Sequence, residues 1–133
     1  MGIINASQSA VCPAMDGLSN EALQKVATYF QALSEPTRLK ILNLLRSGER
    51  NVGEIALATA YTAANVSRHL TLLTKQGLVA REERGTSVYY RIADDSVYAL
   101  CDLVCGNIAR QFERTAKERD AFVLPAVRST PAG

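Results

Sequence analysis

Apolar residues recur at spacings of three and four along the first half of the chain, a pattern typical of helices that bury one face. The first predicted helix covers about residues 21–33, with Ser19 or Asn20 as its cap. The second follows Ser34, its predicted cap, and has Pro36 in the first turn, where a missing N–H costs little.

A short third helix is predicted over about residues 52–59, with Asn51 as its cap. Ile55 and Leu57 are expected to face inward. A brief turn then leads into a fourth helix. Two helices joined by a turn of three or four residues form a helix-turn-helix when the second helix carries a polar face.

The fourth helix is predicted between Thr62 and Gly77. Thr62 can cap it because its hydroxyl can accept an N–H of the first turn, and Gly77 can end it because glycine adopts the left-handed conformation without a Cβ clash. Its apolar positions are Val66, Leu70 and Leu73, and the remainder is polar or basic: Asn65, Ser67, Arg68, His69 and Thr71. Asn can pair with adenine and Arg with guanine, so this face suits DNA. Taken alone, the helix also fits an ordinary amphipathic surface helix, so its neighbours decide between the two interpretations.

A β-hairpin is predicted directly after this helix. Two segments with β-branched and aromatic residues flank the turn signal at residues 84–86. Arg84 at the tip is placed to reach a phosphate or a minor groove. The predicted fold class is therefore mainly α with a β-hairpin wing: a winged helix-turn-helix with five helices, the two strands lying between the fourth and the fifth.

The last predicted helix begins at residues 94–96, and its first half is apolar on nearly all sides. Such a helix must bury more than one face, and we expect one face to pack on its own domain and another on a second subunit. The expected organisation is a mobile arm over residues 1–18, one DNA-binding and dimerisation domain over 19–120, and a disordered tail over 121–133.

Composition fits a globular protein. The 133 residues are 47% hydrophobic and 21% charged, and no apolar run approaches the roughly 20 residues that span a bilayer. The N-terminus lacks the pattern of a secretory signal, so a cytoplasmic protein is expected. The net charge is only +2, but basic residues concentrate around the predicted helix-turn-helix and wing, where DNA phosphates would lie: Arg38, Lys40, Arg46, Arg50, Arg68, Lys75, Arg81, Arg84 and Arg91.

Three sequence segments resemble the ArsR/SmtB family of bacterial metal-responsive repressors. They are Ala32-Leu-Ser-Glu-Pro-Thr-Arg-Leu-Lys-Ile-Leu, Val66-Ser-Arg-His-Leu-Thr-Leu-Leu and, in the wing, Gly85-Thr-Ser-Val-Tyr-Tyr-Arg-Ile. The resemblance implies a homodimer that binds an imperfect palindrome and leaves double-stranded DNA when an inducer binds. Two recognition helices related by a two-fold axis would enter successive major grooves, about 34–36 Å apart.

The resemblance also implies which residues face DNA: Thr62, Ala63, Asn65, Ser67, Arg68, His69, Arg84 and Thr86. A common family pattern has Ser-Gln-Ser where this chain has Thr62-Ala63-Ala64. That difference removes a glutamine that reads bases, so Asn65 and Arg68 are the stronger candidates for sequence reading.

Two of the inducer sites that the resemblance implies cannot be built here, which leaves the three cysteines as the candidates. One version uses a Cys-Val-Cys motif on the third helix, which this chain lacks, and another needs histidines on the last helix, whereas His69 is the only histidine. Cys101 and Cys105 are four residues apart on the predicted last helix, with Cβ atoms about 6 Å apart. That is too far for a disulfide within an unbroken helix but suits a soft ion.

With Cys12 of the arm as a third ligand, the cysteines would bind trivalent arsenic or antimony, and a trivalent organoarsenical would need only Cys101 and Cys105. No cofactor is expected for DNA binding. A buried cysteine can also be a small hydrophobic residue, which is the plainer interpretation of each thiol taken singly.

There are three alternatives to a metalloid-responsive repressor. The closest is a repressor that senses reactive sulfur or redox state through the same cysteines. An enzyme is not expected, because there is no acid/base pair or phosphate loop and His69 lies far from any cysteine in the expected fold. A winged-helix module that binds only proteins would lack strongly salt-dependent DNA affinity.

Overall fold

The computed structural model, which describes residues 15–114 and residue 122, has the predicted order of helices and strands. Its contacts divide the chain into two compact units, one up to Ala93 and one from Asp94 onward, which are described separately. The elements are α1 (Asn20–Ala32), α2 (Pro36–Leu44), β1 (Arg50–Asn51), α3 (Val52–Thr59), α4 (Ala63–Lys75), β2 (Val79–Arg84), β3 (Ser87–Ile92) and α5 (Ser96–Gln111). The fold class, a winged helix-turn-helix, is confirmed; the domain boundaries stay a prediction.

Both helices of the helix-turn-helix begin at their predicted caps. Asn51 Oδ1 accepts the Glu54 N–H at 2.8 Å, and the Glu54 carboxylate accepts the Asn51 N–H at 2.9 Å, so α3 starts with a reciprocal capping box. Thr62 Oγ1 accepts the Asn65 N–H at 3.1 Å at the start of α4. Ala60 (φ 64°) lies in the left-handed region between the two helices, a conformation that allows the sharp turn.

Two predicted details are wrong. Ser34 does not cap α2: its hydroxyl donates to the Gln31 carbonyl at 2.7 Å, and the cap position is Glu35, which makes no capping hydrogen bond with its side chain. Leu57 does not face inward but is 87% exposed, because α3 turns only Ile55 and Thr59 fully into the core.

The core of the first unit lies where α2, α3, α4 and β2 meet. Its most buried residues, each at most 3% exposed, are Ala32, Ile41, Leu42, Leu45, Ile55, Val66, Leu70, Leu73, Leu78 and Val79. At about 25 cal/mol for each Å² of apolar surface removed from water, this burial is the main term that stabilises the unit. The helix α4 contributes Val66, Leu70 and Leu73, so it is an integral part of the core.

The wing is a three-stranded sheet in the order β1-β3-β2. The hairpin strands pair antiparallel from Val79 opposite Ile92 to Arg84 opposite Ser87. The third strand, β1, pairs Arg50 with Tyr90. Sequence analysis did not predict β1, because two residues are too few to show a period-2 pattern.

The second unit contains α5, which is unbroken over its 16 residues. Val97 is its buried residue, whereas Leu103 is 71% and Val104 46% exposed. The helix thus presents apolar side chains to solvent, and exposed apolar surface of this kind is typical of interaction sites. The expected domain extends to residue 120, and its residues beyond 114 lie outside the described residues. No helix in the described ranges is long and apolar enough to cross a bilayer.

Replacing Asn51 by Ala is expected to lower the free energy of unfolding by about 1 kcal/mol, because the Glu54 N–H loses its acceptor at the start of α3. Asn43→Ala, at an exposed position within α2, is the matched control, with an expected change within about 0.5 kcal/mol. Urea denaturation followed by circular dichroism measures both variants. Equal losses in the two would show that the capping box contributes nothing specific.

Candidate nucleic-acid interface

The two faces of α4 differ sharply in burial. Val66, Leu70 and Leu73 have no exposed surface. On the opposite side, four of the residues predicted to face DNA are exposed: Thr62, Ala63, Ser67 and Arg68. Asn65, on the same side, is half-buried. Thr71 is exposed beside them. Because the apolar stripe is held in the core, these polar side chains share one outward surface.

His69 is the exception, and its assignment to the DNA-facing surface is corrected here. Its side chain is 4% exposed and lies at the core, with Nδ1 3.2 Å from an Arg38 guanidinium nitrogen and Nε2 3.3 Å from Glu35 Oε1. The sequence holds a signal for this: residue 69 is three after Val66 and four before Leu73, so it falls on the apolar stripe. Because histidine is polar, residue 69 was not counted among the apolar positions of the helix.

Arg68 and Asn65 form a pair on the outward surface. One Arg68 guanidinium nitrogen donates to Asn65 Oδ1, three residues earlier on the helix. The contact leaves the Asn65 amide group and the other guanidinium N–H groups to donate outward. Because the partner is a neutral amide, the positive charge of Arg68 is not cancelled by this contact. The pair can therefore offer hydrogen-bond donors to the acceptor-rich edge of guanine.

Two hydroxyls of the surface already serve the helix itself. Thr62 accepts the Asn65 N–H, and Thr71 donates to the Ser67 carbonyl at 2.9 Å. The Thr62 proton remains to donate to a phosphate, so this residue can both cap α4 and contact the DNA backbone. Ala63 offers only a methyl group, which suits an apolar contact with a thymine methyl.

Arg84 in the wing is engaged within the protein. Its guanidinium donates to both Glu49 oxygens, one at 2.8 Å, and to Glu82 at 3.0 Å, and it lies 4.8 Å from the centre of the Tyr89 ring. The carboxylates raise the pKa of Arg84 above its ordinary value, Glu49 first and then Glu82. Contact with a phosphate, which stays a prediction, would have to compete with these two carboxylates. Thr86, the other predicted wing residue, is exposed at the turn.

The other two arginines of the β2–β3 hairpin are paired with glutamates as well. Arg81 lies 3.1 Å from Glu83, and Arg91 lies 4.0 Å from Glu82. Basic residues that the sequence shows as a cluster are therefore partly neutralised in the fold. Arg68 on α4 differs from these three arginines in having a neutral partner, the Asn65 amide.

The two described cysteines keep the predicted spacing. Cys101 is half-buried and Cys105 exposed on the unbroken α5, and both are thiols rather than a disulfide. Within residues 15–114 no three Cys, His, Asp or Glu side chains come together as a metal-ligand cluster. Cys12, the predicted third ligand, lies outside the described residues. The pair on α5 is thus the part of the predicted inducer site that can be placed on the fold.

Comparison with known proteins gives the same fold and class. The family model described as Bacterial regulatory protein, arsR family, matches residues 35–81. The chain is 44% identical over 82 residues to the HTH-type transcriptional regulator Rv0324 of Mycobacterium tuberculosis, covering 62% of this chain and 36% of that protein. It is 35% identical over 83 residues to the transcriptional repressor SmtB homolog of Synechocystis sp., covering 62% and 63%. The chain spans less than two thirds of the length of either relative.

A solved structure extends the likeness. The homodimeric winged helix-turn-helix DNA-binding domain Mb0332 (fragment 1–100) of Mycobacterium bovis, a possible ArsR-family transcriptional regulator, has a TM-score of 0.64 at 39% identity, covering 75% of this chain and 95% of that one. These relatives are transcriptional regulators, which confirms the prediction of a DNA-binding regulator rather than an enzyme.

Arg68→Ala is expected to weaken binding to DNA from upstream of the protein's own gene on the order of tenfold, because a base-reading guanidinium is lost. Fluorescence anisotropy at moderate salt measures the affinity. Lys25→Ala on α1 removes the same charge from a surface outside the candidate interface and is expected to change little. Unchanged affinity in Arg68→Ala would remove this residue from the interface.

Glu49→Gln is expected to strengthen DNA binding, because it releases Arg84 from its main carboxylate partner. The salt dependence of the affinity should steepen by roughly one phosphate contact. Glu83→Gln makes the same charge change on the wing but leaves Arg84 paired, so it serves as the control. Equal gains in both variants would mean that only net charge matters and that Arg84 does not contact DNA.

Proposed function

The chain belongs to the ArsR family of bacterial regulatory proteins, and on that premise we propose that it is a homodimeric repressor that a thiophilic inducer releases from its operator. The observation that carries the DNA-binding part is the division of α4 into a buried stripe and an outward face with Asn65 and Arg68. A repressor needs only to occupy a specific DNA site, and this face holds donors suited to base edges.

The dimer is supported by apolar surface on two helices. In α1 only Ala32 is buried, and Phe30 is 47% exposed. In α5, Leu103 and Val104 are exposed. A second copy that covered such surface would account for helices whose apolar residues exceed what one chain buries. A two-fold dimer would read an imperfect palindrome, with half-sites about one helical turn apart.

The inducer site is proposed on α5. Thiolates select soft acceptors, and Cys101 and Cys105 stand one helical turn apart, with the exposed Cys105 accessible to a ligand. Two thiolates suit a trivalent organoarsenical, and with Cys12 as the third they suit trivalent arsenic or antimony. The chain's own contribution is to hold two sulfurs on one face of a rigid helix, which lowers the entropy lost on binding.

Release follows if the inducer binds the DNA-free state better than the DNA-bound state, since an inducer shifts an equilibrium only through differential affinity. Ligation at α5 would alter the surface through which we propose the subunits meet. The spacing of the two recognition helices would then no longer match the operator. DNA binding also implies a cytoplasmic site of action.

Trivalent arsenic is expected to release the reduced wild-type protein from upstream DNA under anaerobic conditions, while Cys101→Ser/Cys105→Ser stays bound, because the double variant lacks both α5 thiolates. Fluorescence anisotropy during an arsenite titration measures the release. Cys12→Ser is the companion variant: if it also fails to respond, three thiolates are required.

Release of the double variant at the same arsenite concentration would contradict the α5 site. No release of a wild type that binds DNA would contradict the metalloid inducer. In that case the same titration with a polysulfide tests the reactive-sulfur alternative, which the exposure of Cys105 favours.

A further inference from the structure

A buried junction behind the recognition helix connects three helices. The Arg38 side chain, 13% exposed, extends from α2 to the end of α1, where its Nε–H donates to the Ala32 carbonyl at 2.7 Å and an Nη–H to the Gln31 carbonyl at 3.1 Å. Its other terminal nitrogen lies 3.2 Å from His69 Nδ1 on α4. One guanidinium thereby joins the last carbonyls of α1 to the buried side of α4.

The junction specifies the protonation state of His69. A guanidinium has only donors, so Nδ1 must accept from Arg38 and the ring proton must sit on Nε2. Nε2 lies 3.3 Å from Glu35 Oε1, a buried oxygen that has no hydrogen-bond partner within the described structure, and an Arg38 guanidinium nitrogen lies 3.8 Å from the same oxygen. In this tautomer the neutral imidazole accepts from Arg38 and presents its Nε2–H toward Glu35. A protonated ring would turn a second N–H toward the donors of Arg38.

The charged groups around His69 act in opposite directions. Burial lowers the pKa of His69 below 6.5; Glu35 opposes this, and Arg68 and Arg38 lower the pKa further. Glu35 and Arg38 belong to α2, and Arg68 to α4. A cleft of about 300 Å³ lined by residues of α1, α2 and α4 opens beside Arg38, so solvent reaches the junction.

His69 directly follows Arg68 in the chain, and successive residues of a helix are about 100° apart around its axis. A displacement of His69 from the core therefore moves the guanidinium that we assign to base reading. We propose that His69 is a positioning residue for DNA binding, which in its neutral form holds α4 against Arg38 and Glu35 and on protonation releases it. This inference rests on the proposed function, because it needs α4 to bind DNA.

The test is the pH dependence of DNA affinity. Wild-type affinity for the upstream duplex is expected to fall on the order of tenfold as the pH is lowered from 6.5 through the lowered pKa of His69. The direction in which the DNA affinity changes distinguishes this effect of His69 from a general effect of net charge. Protonation adds positive charge, and a general electrostatic effect would strengthen binding to phosphates at low pH.

His69→Gln stays neutral at every pH and keeps both a donor and an acceptor, so the ratio of its DNA affinities at neutral and acid pH is expected to be close to one. His69 is the only histidine of the chain, so the lost pH dependence is attributable to it. Glu35→Gln removes the carboxylate that favours the protonated ring. In that variant the loss of affinity should begin at lower pH.

Folding stability gives an independent readout with a defined sign. The pKa of His69 is lower in the folded protein than in the unfolded chain. The contribution of neutral His69 to the free energy of unfolding is therefore fully present above pH 6.5, and it is lost as the pH falls from 6.5 through the lowered pKa. His69→Gln should abolish this part of the pH dependence in urea unfolding measured by circular dichroism.

A wild-type affinity that is flat or rises toward acid overturns the inference while leaving the proposed function intact. The same conclusion follows if His69→Gln keeps the wild-type acid dependence. If the wild type binds the duplex at no pH, the proposed function fails and this inference fails with it.

Discussion

The burial of one stripe of α4 is the constraint on which the rest of the structure depends. Val66, Leu70 and Leu73 are fully buried, so a large rotation of α4 would expose the centre of the core. Loss of one such side chain typically costs about 2–5 kcal/mol, a large part of the stability of a small domain. The same packing that stabilises the first unit therefore fixes which polar residues point outward. Function at the surface is a consequence of packing on the opposite side.

Electrostatics then divides the outward surface into two kinds of region. The arginines of the wing are engaged by glutamates, Arg84 by Glu49 and Glu82 among them, whereas Arg68 on α4 is paired with the neutral amide of Asn65. Exposed ion pairs are worth only about 0–1 kcal/mol, so DNA phosphates can compete for the wing arginines. Arg68 has a neutral partner, so its positive charge is available to DNA without displacement of a carboxylate.

Sequence alone predicted the elements that have local signals. Asn51 and Thr62 cap their helices as expected, and the turn at Gly85 joins the two long strands. The errors lie where tertiary context overrides local pattern. Leu57 is apolar yet exposed, and His69 is polar yet buried. The burial of His69 was not predicted because its partners Arg38 and Glu35 are more than thirty residues away in the chain. The salt bridge between Arg84 and Glu49, 35 residues apart, is likewise absent from any local pattern. The outward face of α4 was predictable because it is the complement of a helical stripe. The pairing of Arg84 in the wing with Glu49 was not predictable, because the two residues are distant in the chain.

The account makes α4 of two subunits the DNA-reading element, and hydroxyl-radical footprinting on DNA from upstream of the protein's own gene tests this most directly. The expected result is two protected segments on one face of the duplex, with centres about 10–10.5 base pairs or a multiple of that apart, as required by two recognition helices in major grooves. A single protected segment, or uniform weak protection that disappears at moderate salt, would contradict a specific dimeric reader and would leave only non-specific attraction between a basic surface and phosphates.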